Sequence, residues 1–246
     1  MRPALDVSYP RFLPVGDGAL SVEFGDAISP ALNDRVIALD IALAAAELPG
    51  IVETIPSYRS LLICYDPMEL AHRQIVAEIG RLLSGRGAPR PGTSAAWSVP
   101  VIYDPPFAED LPEVANRLGV TPEQVIAIHT GWEFQVYTVG FAPGLPYLGE
   151  LPPALHISRR ETPRPAVPAG AVLIGGIQAT IVPVPVPSGW YQLGQTPLRP
   201  FDLQRKDPFL FRPGDRIRFR QVNRGEYDHL MGLDRDDLLA SVRTLA

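Results

Sequence analysis

Most of the 28 prolines in this 246-residue chain lie after position 99, and that asymmetry limits the fold more than any other feature. A proline fixes φ and removes a backbone donor, so prolines every few residues forbid long helices and long central strands. What remains is short strands joined by rigid turns. From Glu133 onward the strands Glu133–Val139, Ala171–Ile174, Ala179–Val182, Trp190–Gly194 and Arg216–Val222 alternate with proline turns, a spacing that predicts a β-barrel or sandwich. Between 141 and 168 the prolines argue against regular central strands and for a long structured loop.

The front of the chain reads as α+β. Two short strands flank Gly16-Asp17-Gly18, and Ser29-Pro30 is an N-cap and first-turn pair ahead of Leu32, Val36, Leu39 and Leu43 at helical spacing. Ile51–Ile55 and Ser60–Tyr65 are strands, and 69–83 is a helix with Ile75, Ile79 and Leu82 on one face. A small sheet covered by two helices is expected. The segment SGRGAPRPGTSAA, residues 84–96, has no apolar periodicity and is the linker candidate. It separates an α+β domain, 1–88, from a second domain, 89–246, that is a β-barrel or sandwich. In the second domain Trp97–Tyr103 is a strand and 110–118 a short helix. Thr121-Pro122-Glu123-Gln124 starts a further helix with a capping box, and Asp234–Leu245 is a closing amphipathic helix.

Charge and cysteine content exclude several functions. Lys+Arg 22 against Asp+Glu 27 gives a net charge of −5, which removes the electrostatic basis for general nucleic-acid binding. Lys206 is the one lysine and lacks the glycine-rich setting of a P-loop. A lone Cys64 allows no internal disulfide or cysteine zinc cluster and points to the cytoplasm. The N-terminus lacks a signal-peptide core, and no apolar run approaches the roughly 18 residues of a membrane span. The four histidines show no metal-ligand spacing, and no GxSxG elbow is present, so neither a catalytic metal nor a self-contained serine triad has support. No catalytic residue is assigned.

Three segments are candidates for binding. Val139-Gly-Phe-Ala-Pro-Gly-Leu-Pro-Tyr-Leu-Gly149 combines a fixed backbone path with apolar surface, so Phe141, Pro143, Gly144 and Tyr147 either line a site or merely cap a barrel. Arg159, Arg160 and Arg164 form the dense basic segment of an acidic protein; they either hold a carboxylate or phosphate or sit solvated beside Glu161. Gln178 and Thr180, which alternation puts on one face, join Trp190 and Thr196 as a set suited to an amide or urea-like group beside an aromatic wall. Facing solvent is the alternative for that set.

Taken together, Pro56-Ser-Tyr-Arg-Ser-Leu-Leu-Ile, Gly140-Phe-Ala-Pro-Gly-Leu-Pro-Tyr-Leu-Gly, Arg159-Arg-Glu-Thr-Pro-Arg, Val167-Pro-Ala-Gly-Ala-Val and Gly189-Trp with Thr196-Pro-Leu are informative. In this order they resemble the B subunit of bacterial 5-oxoprolinase, a family also called allophanate hydrolase subunit 1 or kinase-inhibitor-like. The resemblance spans nearly the whole chain. It implies a ferredoxin-like N-terminal domain followed by a cyclophilin-like β-barrel. It also implies a homologous C subunit as partner, an A subunit as third component, and ATP with Mg used by the assembled complex to open a lactam or cyclic amide. Where the family reads Gln-Thr-Gly-Ile-Tyr-Pro, this chain has Gln178-Ala-Thr-Ile-Val-Pro183, and Gln195 stands where the family has arginine. The resemblance therefore implies an altered pocket wall at Ala179 and Thr180 and one anion contact fewer.

Two functions compete on these grounds. One is an enzyme subunit, inactive alone, that builds a composite site with its partner. The other is a protein-binding inhibitor of a sensor histidine kinase, as in one branch of the family. Prolyl isomerase activity would rest on barrel resemblance alone, and a carboxyltransferase role would need a biotin carrier, for which the chain has no Met-Lys site.

Overall fold

The computed structural model describes residues 8–84 and 94–244. The chain divides into two compact units, Met1–Gly92 and Thr93–Ala246. Most of the 84–96 segment lies outside the described residues.

In the first unit the order is β1 (Arg11–Pro14), β2 (Ala19–Glu23), α1 (Pro30–Ala46), β3 (Ile51–Pro56), β4 (Ser60–Tyr65) and α2 (His72–Ser84). Ser29 starts α1 as its composition demands, its Oγ accepting from the Leu32 amide at 3.3 Å with Pro30 in the first turn. The sheet order is β1-β2-β4-β3 with every pair antiparallel, so β2 and β3 run parallel on either side of β4. Beside β2 sits its own hairpin partner β1, not a strand following α2. Val36, Leu39 and Leu43 of α1 and Ile75 and Ile79 of α2 close one core with Leu20, Val22, Leu61 and Ile63 of the sheet.

The second unit is a closed barrel. Its strands are β5 (Ala96–Ile102), β6 (Glu133–Val139), β7 (Pro146–Gly149), β9 (Ala171–Gly175), β10 (Gln178–Ile181), β12 (Tyr191–Gln195) and β13 (Arg216–Val222). They run β12-β9-β10-β7-β6-β13-β5, and β5 returns to β12 through Gln195 opposite Ile102. The β13–β5 pair is parallel and the other barrel pairs are antiparallel. Phe134, Val136, Leu148, Ile174, Leu193 and Phe219 belong to its core. Outside the barrel, β8 (Arg164–Val167) and β11 (Val186–Ser188) pair as a small ribbon. Helices α3 (Leu111–Leu118) and α4 (Pro122–Thr130) follow β5, and α4 carries the expected Thr121–Gln124 capping box.

Two expectations need correction. The 141–168 stretch is not all loop: β7 is a central strand between β6 and β10, and β8 lies near its end. Pro146 opens β7, where a missing donor is tolerated, and Tyr147 and Leu148 pair with β10. The closing helix over 234–245 is shorter than expected. α5 (Arg224–Gly232) precedes it, α6 (Arg235–Val242) ends at Val242, and β14 (Arg243–Thr244) pairs with Trp97 and Ala96 at the start of β5.

Candidate functional site

A cavity of about 290 Å³ opens on one side of the barrel unit, at the low end of the roughly 300–1,000 Å³ typical of small-molecule sites. Its floor is buried and largely apolar: Leu145, Leu173, Thr180, Val182 and Trp190. Phe141, Arg159, Pro163 and Pro187 are exposed and form the mouth. Tyr147, Arg160, Val186, Ser188 and Gly189 complete the lining.

The aromatic wall follows from a glycine. A Cβ at Gly175 of β9 would lie 2.7 Å from Cγ of Trp190, so only glycine lets the indole lie against the strand. Tyr147 meets Trp190 edge to face, with centroids 6.2 Å apart. Thr180 of β10 faces the cavity, and its hydroxyl donates to the Pro146 carbonyl at 2.7 Å. The Ser188 hydroxyl accepts from the Trp190 amide at 3.1 Å. At the mouth Phe141 is 72% exposed and holds φ +68°, a left-handed conformation that costs a bulky residue energy and occurs mainly where function requires it.

The three arginines divide. Asp110, almost fully buried ahead of α3, accepts from Arg160 Nη1 at 2.9 Å, from both Nη atoms of Arg164, and from the Gln192 amide at 2.7 Å. Arg160 also reaches Glu113 at 3.0 Å and Arg164 reaches Glu109 at 3.2 Å. The hydrogen bonds to Asp110 hold Arg164 above its ordinary pKa. Arg159 instead places its guanidinium 5.6 Å from the Trp190 ring centre. Burial raises the pKa of the Tyr147 hydroxyl, and the Arg159 charge pulls it back down.

Among the candidates from sequence, Phe141, Tyr147, Arg159, Arg160, Thr180 and Trp190 line the cavity. Pro143, Gly144, Arg164, Gln178 and Thr196 do not. Gly144, at φ +75°, is pressed against Phe201 and the Pro200 carbonyl. Arg164 is turned into the Asp110 pair, and Thr196 is buried with its hydroxyl accepting from the Leu198 amide at 3.3 Å. Gln178 shares the face of Thr180 but starts its strand, two residues short of the floor. Leu173, Val182 and Ser188 are lining residues that no motif marks. The alternation of Gln178, Thr180 and Val182 is the signal that reaches Val182.

A larger cavity of about 600 Å³ in the same unit contains Arg205, Lys206, Arg212 and Arg235. Its three guanidiniums are committed to the fold: Arg205 to the carbonyls of Arg199, Pro200 and Pro208, Arg212 to Asp207, and Arg235 to Asp202. The smaller cavity, where a guanidinium without an ion pair among the described residues stands over an aromatic wall, is the candidate ligand site.

The family model for the carboxyltransferase domain, subdomain C and D, matches residues 10–211. The chain is 34% identical to the 5-oxoprolinase B subunit of Bacillus subtilis over 227 residues, covering 87% of this chain and 93% of that protein. It is 36% identical to the 5-oxoprolinase B subunit of Escherichia coli O157:H7 over 205 residues, covering 83% and 93%. The crystal structure of TTHA0988 superposes with a TM-score of 0.75 at 40% identity; the likeness covers 83% of this chain and 40% of that longer one. Identity at this level over nearly whole lengths, on a shared fold, is common descent: the chain belongs to the family of 5-oxoprolinase B subunits, within the carboxyltransferase-domain proteins.

Proposed function

We propose that this chain is the B subunit of an ATP-dependent 5-oxoprolinase, opening a lactam or cyclic amide together with a homologous C subunit and an A subunit. One observation carries the reading: relatives named as the B subunit of 5-oxoprolinase align along 93% of their own length. In this reading the front unit, 1–88, is a ferredoxin-like domain with a displaced edge strand. The rest, 89–246, is a cyclophilin-like barrel, and the protein works in the cytoplasm. Among the described residues no helix is long and apolar enough to cross a membrane.

The barrel's contribution is binding rather than bond breaking. Opening an amide needs a nucleophile and activation of the carbonyl oxygen, and the cavity lining includes no histidine, cysteine or carboxylate to supply a base. What it supplies is an apolar floor, an aromatic wall and a guanidinium, which suit a small ring bearing a carboxylate. The same lining does not fit a magnesium-bound triphosphate. Arg160 is held by Asp110 and Glu113, and among the described residues no three His, Cys, Asp or Glu side chains are grouped to hold a metal. In this reading ATP and its metal are used by the assembled complex, and the chain alone is inactive.

The test is co-expression with homologues of the C and A subunits, followed by ATP-dependent release of glutamate from 5-oxoproline. Turnover by the complex and none by the purified single chain is expected. Turnover by the single chain, or none by a complete complex, overturns the reading.

A further inference from the structure

Resting on the assignment of this cavity as the substrate site, we propose that it takes small cyclic carboxylates in one orientation: methylene edge down on Thr180, Val182 and Leu173, carboxylate up at the mouth on Arg159.

Three features of the cavity lead there. Away from the Trp190 wall, the floor made by Leu145, Leu173, Thr180 and Val182 offers no free donor, because the Thr180 proton goes to Pro146 and the other three side chains are hydrocarbon. A polar edge placed there would lose its hydrogen bonds to water without replacement, so the floor takes the apolar edge of a ligand. At the mouth Arg159 meets the Trp190 ring, and a guanidinium on an aromatic ring keeps its in-plane N–H groups for a carboxylate. The other two arginines of the segment are already neutralised by Asp110, Glu109 and Glu113.

The covalent structure of a five-membered lactam acid agrees with this placement. Its two ring methylenes lie on one edge, and the ring nitrogen, lactam carbonyl and carboxylate-bearing carbon make up the rest. Burying the methylenes turns both the lactam carbonyl and the carboxylate toward the mouth. The barrel then reads ring and carboxylate but not the lactam, whose carbonyl is left facing outward for a second protein of the complex to reach.

The test is calorimetric titration of the full chain, alone and co-purified with its C-subunit homologue. The probes are 5-oxoproline, cyclopentanecarboxylate and 5-oxoprolinamide. Both acids should bind, within about tenfold of each other, and the carboxamide at least about tenfold more weakly, as expected for losing a charge-assisted pair. Arg159→Met should weaken both acids about tenfold and leave the carboxamide unchanged. Three results would overturn the proposal: carboxamide bound as tightly as acid, 5-oxoproline bound but cyclopentanecarboxylate not, or no acid bound by either preparation. Turnover of the complete complex is scored separately. Acid preference without turnover sinks the enzyme reading alone, and turnover without Arg159 dependence sinks the orientation alone.

Discussion

Replacing Asp110 by Asn keeps the side-chain shape and removes the charge on which two guanidiniums and one backbone amide converge. The wild-type carboxylate is 3% exposed and accepts from Arg160, Arg164 and the Gln192 amide. In the variant an amide NH₂ faces guanidinium donors, so at least one hydrogen bond becomes a clash of donors. Breaking a buried ion pair by removing one partner costs about 3–5 kcal/mol. The arginines are 24% and 17% exposed and retain Glu113 and Glu109 as neighbours, which places the loss at the lower end, about 3 kcal/mol. At 2–4 °C per kcal/mol for a domain of this size, that is a fall of about 6–12 °C in the melting temperature. Tryptophan emission during urea unfolding is the assay, because Trp97, Trp132 and Trp190 all belong to the Thr93–Ala246 unit and report on it alone. A loss below about 1 kcal/mol, the range of surface ion pairs, would refute the reasoning. Arg164→Met should share the loss of stability and keep the preference for acid ligands; the reverse pattern would put Arg164 back into ligand binding.

Gly175→Ala places a Cβ 2.7 Å from Cγ of Trp190, so it should lower barrel stability by about 1–3 kcal/mol and weaken acid binding; unchanged calorimetry would mean the indole position is immaterial. Phe141→Asn relieves a left-handed backbone and should raise stability by about 1 kcal/mol while weakening ligand binding; a stability loss in urea unfolding would show that the exposed ring packs instead. His129 is buried, shares a 2.7 Å hydrogen bond with the Tyr103 hydroxyl, and burial lowers its pKa from 6.5 to about 3. Between those values the unfolded ring holds a proton that the folded ring lacks, so stability is full above pH 6.5 and falls on acidification by up to about 1.4 kcal/mol per unit. Urea midpoints at pH 7 and pH 5 should differ in that direction, and His129→Gln should flatten the difference; a midpoint that rises on acidification contradicts it.

Local rules made much of the fold legible. Ser29-Pro30 and Thr121-Pro122-Glu123-Gln124 carry their caps within four residues, so α1 and α4 are readable without tertiary information. Glu133–Val139 and Arg216–Val222 are long enough for alternation to mark them, and both occur as read. Strand β7 hides because its four residues are too few to show a period and Pro146 reads as a breaker. Only the partners on either side, Val136 and Ala179 against Leu148, make it a strand. Barrel closure is equally invisible from the sequence, since it depends on one pairing, Gln195 with Ile102, across almost a hundred residues of chain.

The site was legible as far as composition carries. Aromatic and basic residues at 141, 147, 159, 160 and 190 do converge, because rigid turns between barrel strands bring those segments to one side. Three arginines within six residues, however, carry no mark in the sequence of which one is free. That is decided by Asp110, about fifty residues earlier, which reads as an ordinary acid before a short helix. Once buried, Asp110 must be neutralised, and it takes the two arginines whose backbone position lets them turn toward it. A carboxylate ligand entering the cavity then meets Arg160 already paired with Asp110 and Glu113, and Arg159 standing against an indole instead of beside an anion. The selectivity proposed for Arg159 is thus a consequence of the core's demand on its neighbours: by consuming two of the cations, the fold leaves the third as the one a ligand can use.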